Sequence, residues 1–264
     1  MRVPIIGQQP LLAQIDRQIE QGAFPQFVII AGDAGSGKTL VAQYIAEKLD
    51  AQAITVGKSV DDVREVIDTV RRVTDRVACI FRRAENMSAQ AMNALLKILE
   101  EPPKGVYFLF TTCNDALLLS TIRSRGAILR MCAYMYEELC EYNQGEPVSA
   151  YCKTPRDVDR DKTATGLDTF ANLVVANIAT VPLVNAMKIA DKIDLDDSDP
   201  TKYDLRMFLR AFNLACMREA QGAGARKYTE AVTRTSELVN SVKPNSNLHM
   251  LFDAWMLETR WILG

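Results

Sequence analysis

The residues with the clearest chemical purpose are Gly32-Asp33-Ala34-Gly35-Ser36-Gly37-Lys38-Thr39, which fit the spacing G-x-x-x-x-G-K-[ST]. Glycines at these places let successive backbone N–H groups curl around a phosphate, and a helix starting here turns its positive end to the same anion. Lys38 neutralises the outer phosphates and the Thr39 hydroxyl ligates magnesium. The loop therefore predicts bound ATP or ADP with magnesium. Hydrolysis asks for more: an acidic residue for the metal and a base or water-positioning group at the end of a neighbouring strand. The apolar run Val77-Ala78-Cys79-Ile80-Phe81 ends instead in Arg82-Arg83, with Glu85 two residues further on as a substitute base if the strand end is bulged. Weak or lost hydrolysis is the expectation.

A phosphate loop works only between a strand and a helix, and the flanking pattern supplies both. Phe27 to Ala31 reads as a buried strand and Thr39 to Leu49 as an amphipathic helix. Helices over Gln8–Gln21, Val60–Val73 and Ser88–Glu100 alternate with strands at Ala53–Val56, Val77–Phe81, Val106–Phe110 and Ala127–Met131. That alternation predicts a parallel sheet covered by helices on both faces. Beyond Met131 no convincing strand follows, and the rest reads as helical, with segments at Tyr203–Ala220, Lys227–Val242 and Leu248–Ile262. Three parts are expected: 1–132, 133–195 and 196–264.

Composition narrows the chemistry. With 48% apolar and 24% charged residues among 264, the chain has the balance of a globular protein with room for a sizeable core. A net charge of -2 speaks against a polyanion-binding surface all round, while leaving room for a local basic patch. His249 is the only histidine and no two of the six cysteines form a C-x-x-C pair, so no zinc site, disulfide framework or histidine-based hydrolase is expected. Without a signal-peptide core or an apolar stretch near 20 residues, a cytoplasmic protein with no membrane contact is expected.

A longer match adds a family. Asn93-Ala94-Leu95-Leu96-Lys97-Ile98-Leu99-Glu100-Glu101-Pro102-Pro103 resembles the N-A-L-L-K-x-L-E-E-P-P signature of DNA polymerase clamp-loader subunits of the AAA+ class. Ile6-Gly7-Gln8, Ala84-Glu85-Asn86-Met87-Ser88 and Thr121-Ile122-Arg123-Ser124-Arg125-Gly126 keep the same order around it. The resemblance covers residues 3–131, and the remainder only in layout. It implies an α/β P-loop (AAA+) domain with a parallel sheet, then a small helical lid and an all-helical collar that oligomerises.

The resemblance also assigns roles. Arg125 falls on the arginine finger that reaches into the nucleotide site of an adjacent subunit, with Gly126 in place of the family's cysteine; Ile5 and Ile6 would flank the adenine. A small polar sensor falls among Thr111, Thr112, Cys113 and Asn114. The arginine of a second sensor is missing from Ala176–Met187. These departures look most like a delta-prime-type subunit, or a phage-like version of it: a member of a DNA polymerase III hetero-oligomer that turns over ATP poorly yet lends an arginine to its neighbour. Implied partners are other clamp-loader subunits, a sliding clamp and primer-template DNA.

DNA contacts are expected from Arg82, Arg83, Ser88 and Gln90, the arginines belonging to a basic cluster with Arg64, Arg71, Arg72 and Arg76, beside the reading of such a cluster as a solvated face. Trp255 and Trp261 mark either a bundle core or a partner surface, His249 reads as structural, and Tyr134 as interdomain packing. Two alternatives stand: an autonomous clamp-loader ATPase with Glu85 as base, and a P-loop small-molecule kinase, in which the Asn93–Pro103 signature would have no role.

Overall fold

The computed structural model describes residues 5–195, 201–221, 224–241 and 247–264. The chain divides into two units, Met1–Tyr142 and Asn143–Gly264. The expected part boundary at 195/196 and the helix end at Val242 touch positions outside the described residues.

In the first unit the elements run α1 (Gln9–Glu20), β1 (Phe27–Ala31), α2 (Lys38–Lys48), β2 (Gln52–Val56), α3 (Val60–Val70) and β3 (Val77–Phe81). There follow α4 (Ala89–Glu100), β4 (Val106–Thr112), α5 (Ser120–Arg123), β5 (Ala127–Arg130) and α6 (Tyr136–Tyr142), with 3-10 turns at Ala84–Asn86 and Asp115–Leu117. The strands form one parallel sheet in the order β2-β3-β4-β1-β5. β1 and β3 are buried at every position because both faces are covered, which is why they read as unbroken apolar runs.

Alternation along the strands splits the core into two layers. Phe27, Ile29, Cys79, Phe81, Phe108 and Phe110 face a cluster with α3 and α4, where Phe81 and Phe110 lie 4.6 Å apart between ring centres. Val28, Ile30, Ala78, Ile80 and Leu109 face α1 and α2. Each buried aromatic or branched side chain contributes roughly 1.5–3 kcal/mol relative to exposure. β2 is an edge strand and mostly exposed, so its hydrophobic signal is the weakest. α3 starts with a reciprocal Ser59–Asp62 capping box, and α4 with the Ser88 hydroxyl accepting the Ala91 N–H at 3.1 Å. Pro102 and Pro103 stand just past the end of α4, where the residue before a proline is pushed out of the helical region.

The second unit contains α7 (Pro155–Thr163), α8 (Leu167–Asn177), α9 (Leu183–Met187), α10 (Leu205–Glu219), α11 (Ala225–Ser241) and α12 (Leu248–Leu263). α10 packs on α8 and α11, and α11 on α12. Phe208, Phe212, Phe252 and Trp255 form its aromatic centre, and the Trp255 indole N–H donates to the Thr235 hydroxyl at 2.9 Å. Trp261 is 82% exposed, so the two tryptophans that look alike in sequence part company. The expectation of no strand past Met131 needs correction: Ile193–Asp194 pairs in parallel with Tyr203–Asp204. Arg160 beside Asp194 (3.0 Å) and Asp204 (3.8 Å) holds this short pair by charge rather than by an apolar run, so periodicity does not reveal it.

Candidate functional site

The carboxyl ends of β1, β3 and β4 converge at the head of the sheet, the place where open α/β sheets bind ligands. From β1 the chain passes through residues 32–37 into α2. Gly35 (φ 82°) and Gly37 (φ 84°) take left-handed backbone conformations that side-chain-bearing residues adopt at a cost, and they turn the loop back on itself. Lys38 is 8% exposed, and its ammonium donates to the carbonyl oxygens of Gly32 (2.7 Å) and Asp33 (2.5 Å). Burial pushes the Lys38 ammonium below the usual lysine range, while the neighbouring Cys113, Glu85 and Asp33 draw it back up. Thr39 is half-buried in the first turn of α2, and the Ser36 hydroxyl is buried with no hydrogen-bond partner among the described residues.

Glu85 enters from the 3-10 turn after β3. One carboxylate oxygen accepts the Cys113 backbone N–H at 3.0 Å, and the other is buried without a partner among the described residues. Arg83 takes the left-handed region (φ 49°) and donates its N–H to the Thr111 hydroxyl at 3.2 Å, which turns the chain so that Glu85 joins the Lys38 group. Arg82 and Arg83 are themselves exposed. Of the four residues in which a sensor was expected, Cys113 neighbours Lys38 and helps to hold its charge. The Thr111 hydroxyl serves the backbone of Arg83, and that of Thr112 the backbone of Asn114.

A second layer supports the loop, and sequence reasoning did not find it. The Tyr134 phenol donates to the Ser36 carbonyl at 2.9 Å, so this residue ties down the phosphate loop. A Cβ on Gly32 would come within 2.6 Å of Met131. Between those two contacts, Gln8 is fully buried and its amide grips Cys132 from both sides: Nε2 donates to the Cys132 carbonyl (3.0 Å) and Oε1 accepts the Cys132 N–H (2.8 Å). Ile5 and Ile6 are half-buried next to this clasp, Ile5 against the α1–α2 core layer. No local pattern announces a contact across 124 residues.

Arg125 is not part of this group. It precedes β5, and β1 and β5 run parallel with Val28 opposite Ala127. Arg125 thus lies level with Gln26, just before β1, while the loop starts at Gly32, roughly 20 Å away at about 3.3 Å per residue. Its guanidinium donates to Glu100 through Nε (2.9 Å) and Nη2, and to the Thr121 carbonyl through Nη1 (2.7 Å). Nearby Asp115, 6% exposed, accepts from Arg130 (2.9 Å) and pairs with Arg123 (3.1 Å), fixing both flanks of the Ser124-Arg125 turn. Ser88 and Gln90 are exposed at the start of α4, with the Ser88 hydroxyl already used as the helix cap. In the basic cluster, Arg64 and Arg71 each lie near an aspartate three residues earlier, and Arg76 donates to the Leu49 carbonyl.

The residues present fit a magnesium nucleotide. The loop offers a turned backbone, a desolvated cation and an unpartnered hydroxyl, and the facing turn offers an unpartnered carboxylate oxygen.

Residues 50–134 match the family described as DNA polymerase III, delta subunit. The chain is 26% identical over 152 residues to DNA polymerase III subunit gamma of Buchnera aphidicola, covering 46% of this chain and 42% of that protein. It is 27% identical over 152 residues to DNA polymerase III subunit tau of Escherichia coli, covering 46% of this chain and 24% of that one. The aligned stretch is thus less than half the length of these relatives. In fold, the chain resembles a DNA polymerase III gamma subunit-related protein of Thermotoga maritima (TM-score 0.55, 15% identity, 96% of this chain and 100% of that one). It also resembles RuvB of Thermotoga maritima (TM-score 0.54, 17% identity, 78% of this chain and 88% of that one). In sequence this chain is thus similar to subunits of DNA polymerase III over part of its length, and in fold to the two Thermotoga maritima proteins.

Proposed function

We propose that the chain is a subunit of a sliding-clamp loader of the delta-prime kind. It binds ATP or ADP with magnesium at Gly32–Thr39, hydrolyses it weakly by itself, and supplies Arg125 to the nucleotide site of a neighbouring subunit. The observation that carries this reading is the pairing of an intact phosphate loop with Arg82-Arg83 at the strand end where magnesium's acidic ligands are needed. Arg125, at the opposite end of β1, is too far from its own loop and suits a site across a subunit seam.

Thr39 would hold the magnesium, which supplies charge neutralisation on the outer phosphates. Lys38 is already desolvated and leaves its loop carbonyls for those phosphates. Ile5 and Ile6 line the approach for the base. Arg82, Arg83 and the N-terminal end of α4 at Ser88 and Gln90 contact the DNA backbone, which gives a salt-dependent grip without sequence readout. The second unit acts as lid and collar for other subunits, so the working form is a hetero-oligomer in the cytoplasm that opens a ring-shaped clamp and sets it on primer-template DNA.

The test is the DNA-stimulated ATPase of the assembly that purifies with the tagged chain. Arg125→Ala should lower kcat by ten-fold or more, and unchanged turnover would count against the finger. A second reading, an ATPase active in its own right, is favoured by the buried, unpartnered Glu85 oxygen near Lys38. It requires that the purified chain alone hydrolyse ATP and that Glu85→Gln abolish this.

A further inference from the structure

Arg125 has a partner inside its own chain. Glu100, the last residue of α4, receives Nε–H and Nη2–H of the guanidinium on a single carboxylate oxygen, Oε1. The Thr121 carbonyl takes an Nη1–H at 2.7 Å, and the Ser124 hydroxyl lies at a long 3.5 Å from the same nitrogen. A guanidinium carries five N–H groups in a rigid plane. With Nε–H and Nη2–H spent on one oxygen, Nη2 keeps one N–H, on the tip of the fork, without a partner among the described residues. The side chain remains 34% exposed. The inner edge is held and the outer edge is open.

We propose that Glu100 is a positioning residue for Arg125: it fixes the guanidinium plane so that the tip already points away from the chain toward a phosphate on a neighbouring subunit. This rests on the reading of Arg125 as a finger in trans. An exposed ion pair contributes little to stability, so its purpose has to be sought elsewhere. A flexible arginine must lose rotamer freedom when it engages a phosphate, and an arginine held beforehand has already lost it. Asp115 supports the same arrangement from the other side by pinning Arg123 and Arg130, so the turn carrying Arg125 does not swing. Glu100 belongs to the long signature helix, which thereby acts on the finger rather than only on the core.

The experiment compares Glu100→Ala, Glu100→Gln and Arg125→Ala in the native assembly isolated with the tagged chain, measuring kcat and KM for ATP with primed DNA. Because both hydrogen bonds end on one oxygen, glutamine keeps the acceptor and loses only the charge. Positioning predicts that Glu100→Ala lowers kcat about tenfold with KM unchanged, that Glu100→Gln recovers to within about threefold of the parent, and that Glu100→Ala adds no further loss in an Arg125→Ala background. If Glu100→Ala leaves kcat unchanged or raises it while Arg125→Ala lowers it, Glu100 positions nothing and the finger reading survives. If Glu100→Gln is as slow as Glu100→Ala, charge rather than placement is at work and the proposal is wrong. If Arg125→Ala itself has no effect, the finger and this proposal fall together. Equal assembly yields and unchanged melting of the variants separate these outcomes from misfolding.

Discussion

Replacing Gln8 with alanine isolates the clasp behind the phosphate loop. The parent side chain is fully buried and makes two hydrogen bonds to the backbone of Cys132, of 3.0 and 2.8 Å. Its removal leaves one N–H and one C=O unpaired, each costing about 1–3 kcal/mol when water cannot replace the lost partner. Cys132 is half-buried, so water entering the vacated space recovers part of this, and a net loss of about 2–3 kcal/mol is expected. Two measurements apply: urea unfolding followed by far-UV circular dichroism, and native-state hydrogen exchange at the Cys132 amide. The midpoint should fall with an unchanged slope, and the Cys132 amide should lose protection. Nucleotide affinity should weaken as well, because Met131 and Tyr134 press on the loop from either side of Cys132. A stability change below about 0.5 kcal/mol, typical of an uninvolved surface site, together with a fully protected amide, would refute the reasoning.

Asp115 gives a pH test. Its hydrogen bonds to Arg130 hold the carboxyl below the usual range, so its stabilisation is present above the ordinary carboxylate pKa and is lost as pH falls through the lower folded value. Asp115→Asn should reduce stability near pH 7 and flatten the acid limb below about pH 4, measured by thermal melts across pH; a limb of unchanged steepness would count against it. Gly126→Cys should destabilise by about 1–3 kcal/mol in urea unfolding. The new Cβ would come 2.8 Å from Ile29 Cδ1 and 3.0 Å from Phe27 Cε1, both in the packed core layer.

How far the sequence reached depends on how local the cause is. The sheet with its covering helices was legible because β1, β3 and β4 are buried on both faces and so spell continuous apolar runs, while α1, α3 and α4 keep an apolar stripe of 3.6-residue period. The phosphate loop was legible because left-handed backbone at Gly35 and Gly37 and a charge at Lys38 must sit at fixed spacing along the chain. Tertiary packing alone decided what lies opposite these residues. Cys113 and Glu85 neighbour Lys38, Gln8 holds Cys132, Tyr134 ties Ser36, and Glu100 takes Arg125. It also sorted Trp255 into the core and Trp261 to the surface. Such pairings join residues far apart in the chain whose types are individually ordinary, and period and spacing carry no record of them. They exist only once the strands are in register and bring the two partners within hydrogen-bonding reach.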